Sequence, residues 1–394
     1  VTTAPTTGRF RDQLRSWLAD HTTGLSGWQD QPHPTMEAAL RHGSALIAEL
    51  YEHDFGRWGW PAHAGGLGGE ETLRGVLYDE LWAHGIGLPE QYAALEVMGP
   101  ALIAVAPELA AELLLEFISG RAWWCQGFSE PEAGSDLASV RTRATPTDDG
   151  DYLLTGQKLW SSFGATCNRA MVLARTGTPE SRHRGLTMFL VDLDTPGITT
   201  RPIALAGGRQ ELAEIYLDDV RVPAARLLGE VDGGWAVLMR IMRNERGTYG
   251  WQRQAMLLHR LRRLQGWTRD GDDRPGADQV GDGTLAVDVG RACREVLAVR
   301  ARCAATYRRA AAGDPLGPET SIDKILLGAA EQRVHDVLRQ FMPPRFLFGG
   351  DADAGKLRDD WWYSRATTIY GGPSEIQHDI IADRILQLPR GGSR

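Results

Sequence analysis

Four short stretches of this sequence combine residue types at spacings that suit chemistry. In residues 126–136 (QGFSEPEAGSD), Pro131 and Gly134 favour a turn, where Ser129, Ser135 and the backbone N–H groups supply hydrogen-bond donors. In residues 156–162 (GQKLWSS), Trp160 brings a flat π-face and Ser162 a hydroxyl two positions on. In residues 370–377 (YGGPSEIQ), Ser374 and Gln377 stand at capping-box spacing, and Ile376, Ile380 and Ile381 begin an apolar stripe. A helix is predicted there. Gly371 and Gly372 would then leave free N–H groups at the positive end of its dipole, where a pyrophosphate can bind. The fourth stretch centres on Glu245. On one continuous helix Leu238, Ile241, Met242, Glu245, Thr248, Tyr249 and Gln252 fall along a single face. Burial on that stripe would raise the pKa of Glu245 and suit a base that takes a proton from carbon. Taken alone, each stretch also has a plainer reading: a polar interdomain loop, a core tryptophan, a well-capped helix, a surface Glu–Arg pair.

The elements that must position these residues change character along the chain. Over residues 10–120 the apolar positions recur at helical spacing, as with Leu14, Trp17 and Leu18, or Leu109, Leu113 and Phe117. A Gly- and Pro-rich loop at 58–69 interrupts them. From about 123 to 229 short apolar or alternating runs at 152–154, 171–174, 187–191 and 213–217 read as strands of a small antiparallel sheet or barrel. Helical patterns return at 235–261, 291–312, 321–341 and 374–388, with a Gly- and Asp-rich loop at 266–290. The expected fold is mainly α with a central β domain: an N-terminal helical domain (1–121), a middle antiparallel barrel-like β domain (122–230) and a C-terminal four-helix bundle (231–394).

Bulk properties narrow the function classes. A net charge of −8 over 394 residues argues against nucleic acid or an anionic membrane as the main partner. Four cysteines without a CxxC pair are no disulfide framework. With no signal pattern and no membrane-length apolar run, a cytoplasmic location is expected. The ten histidines show no paired-ligand spacing, so no metal site is expected. Residues 65–69 do not meet the dinucleotide fingerprint GxGxxG.

The strings at 126–136, 156–162 and 370–377, with the α–β–α order, resemble the acyl-CoA dehydrogenase family. The resemblance implies FAD as cofactor and α,β-dehydrogenation of an acyl thioester, carried by CoA or a carrier protein, to a trans-2-enoyl thioester. It assigns flavin contacts to the Phe128 backbone and Ser129, a flavin-covering role to Trp160, and a hydrogen bond at flavin N5 to Ser162. Gly372, Pro373 and Glu375 fall at cofactor positions, and Ser135, Tyr370 and Tyr249 at substrate positions. Pro373 stands where the family usually has threonine. Many relatives carry the base directly after the signature tyrosine, where this chain has Gly371. A second family arrangement puts it in a Glu–Arg pair on a C-terminal helix, which Glu245 and Arg246 match. Glu245 is then the expected base, the Gly371 N–H the expected donor to the thioester carbonyl, and Arg246 part of the local electrostatics. An R-x-x-F-G element seen in relatives is missing from the region around 262–273. The resemblance also implies an electron-transfer flavoprotein as acceptor and a homodimer or homotetramer, with a heteromer open. Two other readings remain: a flavin oxygenase or oxidase on the same fold, and a non-catalytic partner subunit.

Overall fold

The computed structural model describes residues 3–21, 26–30, 33–269, 283–341, 343–350 and 352–389. Among the described residues the α-helices α1 (Thr7–Asp20), α2 (Met36–Glu52), α3 (Thr72–Ala83), α4 (Gln91–Val105) and α5 (Pro107–Ile118) come first. Thr6 and Thr35 cap α1 and α2 by accepting from the N–H groups of Arg9 and Ala38. Pro107 opens α5, where its missing N–H costs nothing, and Leu109, Leu113 and Phe117 form its buried face.

Strands follow: β1 (Trp124–Gly127), β2 (Arg143–Pro146), β3 (Tyr152–Ser162), β4 (Arg169–Arg175), β5 (Leu186–Asp192), β6 (Ile198–Ile203), β7 (Leu212–Val222) and β8 (Leu227–Leu228). They form one sheet in the order β6-β7-β3-β2-β4-β5-β8, with β1 added on β4. Its pairings are antiparallel except β1 on β4 and the single β2–β4 pair. The continuous apolar runs of β4 and β5 are buried along nearly their whole length, whereas β7 alternates. Leu154, Val172, Phe189, Val191, Ile215 and Val220 make the sheet's core, each worth roughly 1.5–3 kcal/mol of burial.

The chain then returns to helices: α6 (Gly234–Arg246), α7 (Tyr249–Arg269), α8 (Gly283–Ala311), α9 (Thr320–Phe341), α10 (Pro343–Phe348), α11 (Ala352–Ala366) and α12 (Ser374–Arg384). Three sequence expectations change here. The periodic stretch 235–261 is two helices, because Gly247 and Thr248 form a turn in which the Gly247 carbonyl accepts from Gly250 N. Glycine and a β-branched residue are both poor helix formers, and apolar periodicity does not register the break. The loop expected at 266–290 is shorter at both ends, since α7 runs to Arg269 and α8 starts at Gly283; residues 270–282 lie outside the described residues. The helix α11 joins the four expected long stretches.

By packing, the chain forms two compact units interleaved in sequence. One comprises residues 33–68 and 89–244 and holds the sheet. The other comprises 1–32, 69–88 and 245–394, with α9 packed on α7, α8, α11 and α12 around Leu257, Leu261, Val296, Val299, Leu327 and Val334.

Candidate active site

In the sheet-bearing unit, the 126–136 turn is tied to β3 by a buried ion pair. Lys158 Nζ is fully buried and donates to Glu130 Oε1 at 2.7 Å and to the Phe128 carbonyl at 3.2 Å. Glu130 also accepts from the backbone N–H of Arg141 (2.6 Å) and Thr142 (2.9 Å). Burial pushes the Lys158 ammonium down to about 8 against the pull of Glu130. Burial pushes the Glu130 carboxyl the other way, but the Lys158 charge and these hydrogen bonds outweigh it and hold the carboxyl below its usual range. A fully hydrogen-bonded buried pair of this kind fixes geometry. The Ser129 carbonyl accepts from Leu159 N at 2.9 Å, so the turn is stitched to β3 next to Trp160.

Trp160 itself sits on a β-bulge. The β3–β7 register shifts between Lys158, opposite Ile215, and Ser161, opposite Ala213. The extra residue lets Trp160 take a left-handed backbone (φ 63°), and its side chain is 54% exposed. Bulges re-aim side chains, and a bulky residue in this conformation is strained. The bulge thus holds a large indole out of the core. Ser129 and Ser162 are half-buried, Phe128 is buried, and Ser135 is exposed at the loop's outer end, beside Asp136 in its ion pair with Arg182. Lys158 holds the Phe128 carbonyl and so orients the backbone of the turn beside Ser129.

In the helical unit, the 370–377 turn carries two successive left-handed glycines, Gly371 (φ 65°) and Gly372 (φ 92°). Among the described residues neither glycine N–H has a protein acceptor. The capping box expected from Ser374 and Gln377 does not form. Pro373, extended at φ −61° and ψ 158°, is the N-cap, and Ser374 is already helical. Gln377 Nε2 turns back to donate to the Gly372 carbonyl at 3.0 Å and the Gly371 carbonyl at 3.4 Å. Gln377 is the one fully buried residue of α12, so the apolar stripe expected there is half-buried instead. Glu375 is exposed in the first turn.

Glu245 and Arg246 converge on these glycines. Arg246 Nε donates to the Gly371 carbonyl at 3.2 Å, and burial lowers its pKa against the charge of Glu245. A Cβ built on Gly371 would stand 2.5 Å from Glu245 Oε1, so the carboxylate fills the space that a side chain at 371 would need. Glu245 is half-buried at the end of α6, not deep on a continuous stripe, because the helix stops one residue later. Tyr249 opens α7, half-buried. Tyr370 holds its hydroxyl oxygen buried without a hydrogen-bond partner among the described residues, and burial drives that hydroxyl's pKa up.

Sequence reasoning missed two lysines here. Lys158 and Lys324 are both almost wholly buried. Lys324, on α9, places Nζ 3.9 Å from the Tyr370 ring centroid. Lys158 and Glu130 lie inside the two strings already singled out, and their opposite charges were the available signal. For Lys324 no local signal existed.

Two family models match: the acyl-CoA dehydrogenase middle domain over residues 125–220 and the acyl-CoA dehydrogenase C-terminal domain over residues 232–386. The acyl-CoA dehydrogenase IpdE1 of Mycobacterium tuberculosis is 32% identical over 97% of both chains. This chain belongs to the acyl-CoA dehydrogenase family. It is therefore an oxidoreductase, and family membership implies a flavin. Among solved structures, a steroid acyl-CoA dehydrogenase, Tcur3481-Tcur3483, matches 98% of each chain with TM-score 0.78 and 23% identity. Butyryl-CoA dehydrogenase of Megasphaera elsdenii matches with TM-score 0.75 and 21% identity over 98% of this chain and all of that one. Both share the fold. In the sheet-bearing unit, the exposed indole at the bulge offers the kind of π-face that a flavin packs against; in the helical unit, the Gly372 N–H before α12 offers a donor of the kind that a flavin's polar edge accepts. Among the described residues no group of acidic, histidine and cysteine side chains could hold a metal, and no helix is long and apolar enough to cross a membrane.

Proposed function

We propose that this acyl-CoA dehydrogenase binds FAD and removes the α- and β-hydrogens of an acyl thioester, on CoA or a carrier protein, giving a trans-2-enoyl thioester. The observation that carries the reading is the Glu245 carboxylate standing in the space above Gly371, where a side chain at 371 would otherwise be. In this reading Glu245 accepts the α-proton and becomes neutral. The Gly371 N–H donates to the thioester carbonyl as negative charge gathers on its oxygen. Arg246 holds the Gly371 carbonyl and so orients that peptide. Tyr249 and Tyr370 line the acyl side, and Ser135 stands toward the thioester's pantetheine. In the sheet-bearing unit the Phe128 backbone, Ser129 and Ser162 are the FAD contacts, with Trp160 covering the flavin from water; in the helical unit Gly372, Pro373 and Glu375 are the cofactor positions. When bound, FAD supplies the hydride acceptor for the β-hydrogen.

The Lys158–Glu130 pair positions the residues of the sheet-bearing unit, and the Gly371–Gly372 turn those of the helical unit. Reduced cofactor is reoxidised by an electron-transfer flavoprotein. The chain works with a second subunit, its own copy or a related one. Phe348, Leu386 and Leu388 support this, because each is more than half exposed and apolar. The test is anaerobic mixing of flavin-loaded protein with a panel of acyl thioesters. Bleaching of the flavin with formation of the enoyl product is expected. Rapid oxygen consumption by the reduced protein would instead identify an oxidase.

A further inference from the structure

We infer that Lys324 is a positioning residue whose ammonium keeps Glu245 in its carboxylate form, ready to accept a proton. The inference rests on the assignment of Glu245 as base. The geometry comes from one point in space. A Cβ on Gly371 would lie 2.5 Å from Glu245 Oε1 and 3.5 Å from Lys324 Cε, so the acid and the lysine stem crowd the same spot from α6 and α9. Lys324 is 5% exposed, and its Nζ rests over the face of Tyr370, the residue before Gly371.

A base for a carbon acid faces opposing demands. Removal from water favours its neutral form, which cannot accept a proton. A neighbouring cation shifts the balance back toward the anion. Lys324 is itself pushed down to about 8 by burial, against the pull of Glu245 and Glu331 and with the push of Arg253 and Arg246. The other charged and titratable groups around it are accounted for. Glu331 is held by Arg253 Nε at 3.2 Å, and Asp323 on α9 is held by Arg302 of α8 at 2.8 Å and by Thr306. Arg246 is turned to the Gly371 carbonyl. Burial drives the Tyr370 hydroxyl's pKa up, so the ring under Lys324 carries no charge. Once Glu245 has taken the α-proton, Lys324 loses part of the charge that favours its own ammonium, so the two groups are coupled.

The experiment compares wild type, Lys324→Met, Lys324→Gln and Lys324→Arg by two readouts. The first is the pH profile of substrate-driven flavin bleaching. Removing the cation should move the acid limb up by about one pH unit, with arginine restoring most of it. The second needs no turnover: an infrared pH titration of the carboxyl band that Glu245→Gln removes. Its midpoint should rise in the methionine and glutamine variants and return toward wild type in the arginine variant. Met and Gln differ in polarity, so one folded variant is enough. A slower maximal rate with both acid limb and carboxyl midpoint unchanged would overturn the inference, leaving Lys324 a packing residue. If wild type shows no bleaching with any thioester, the proposed activity fails, while the infrared titration still decides the Lys324–Glu245 coupling.

Discussion

Two buried lysines, one in each unit, have almost the same burial and the same depression to about 8, yet different surroundings. Lys158 is closed: a carboxylate at 2.7 Å, a carbonyl at 3.2 Å, and a partner held by two further N–H groups. Lys324 is open: its ammonium lies over an aromatic face, near a carboxylate at the edge of the glycine turn. The difference separates scaffold from machinery. A charge whose partners are all satisfied holds a loop still, whereas a charge left beside an acid can follow that acid through a change of protonation.

The comparison breaks most visibly at the closed pair. Lys158→Met leaves Glu130 buried without its cation, and should destabilise the sheet-bearing unit by about 3–5 kcal/mol, read as a large fall in Tm. Acid should act in the same direction in wild type. The folded Glu130 carboxyl is held below its unfolded value of about 4.3, so its contribution is present above that value and is lost as pH falls through the folded one. A denaturation series across this range checks the sign, and Lys158→Met should flatten the dependence.

The open site responds differently. Gly371→Ala places a methyl against Glu245 at a backbone φ of 65°. The expected cost is about 1–3 kcal/mol, with a fall in rate from a displaced carboxylate. Unchanged bleaching in that variant would show that the space above Gly371 is not where the base must stand. The smallest expected effect on stability is at Trp160. Glycine relieves the left-handed strain at the bulge, so Trp160→Gly should change stability by no more than about 1 kcal/mol while weakening flavin retention. Equal flavin content in the two proteins would remove Trp160 from the cofactor site.

Much of this was legible in the sequence, because strings such as QGFSEPEAGSD and YGGPSEIQ carry their own turn chemistry. Gly371, which rules out a side-chain base at its position, and the Glu245–Arg246 pair together pointed to the site that the structure draws together. What escaped had non-local causes. The break at Gly247 hides under an apolar pattern that continues across it. The capping box yielded to Pro373, whose fixed φ suits the N-cap, and Gln377 was left to hold the glycine carbonyls. Lys324 stands in an unremarkable run, SIDKILL, and only the packing of α9 brings it to the turn.

The central claim is that Glu245 takes the α-proton. Glu245→Gln keeps the side-chain shape and removes the base, so FAD should stay bound with its absorption spectrum intact while thioester-driven bleaching falls by at least about a thousandfold. Bleaching at the wild-type rate in flavin-loaded Glu245→Gln would contradict the account.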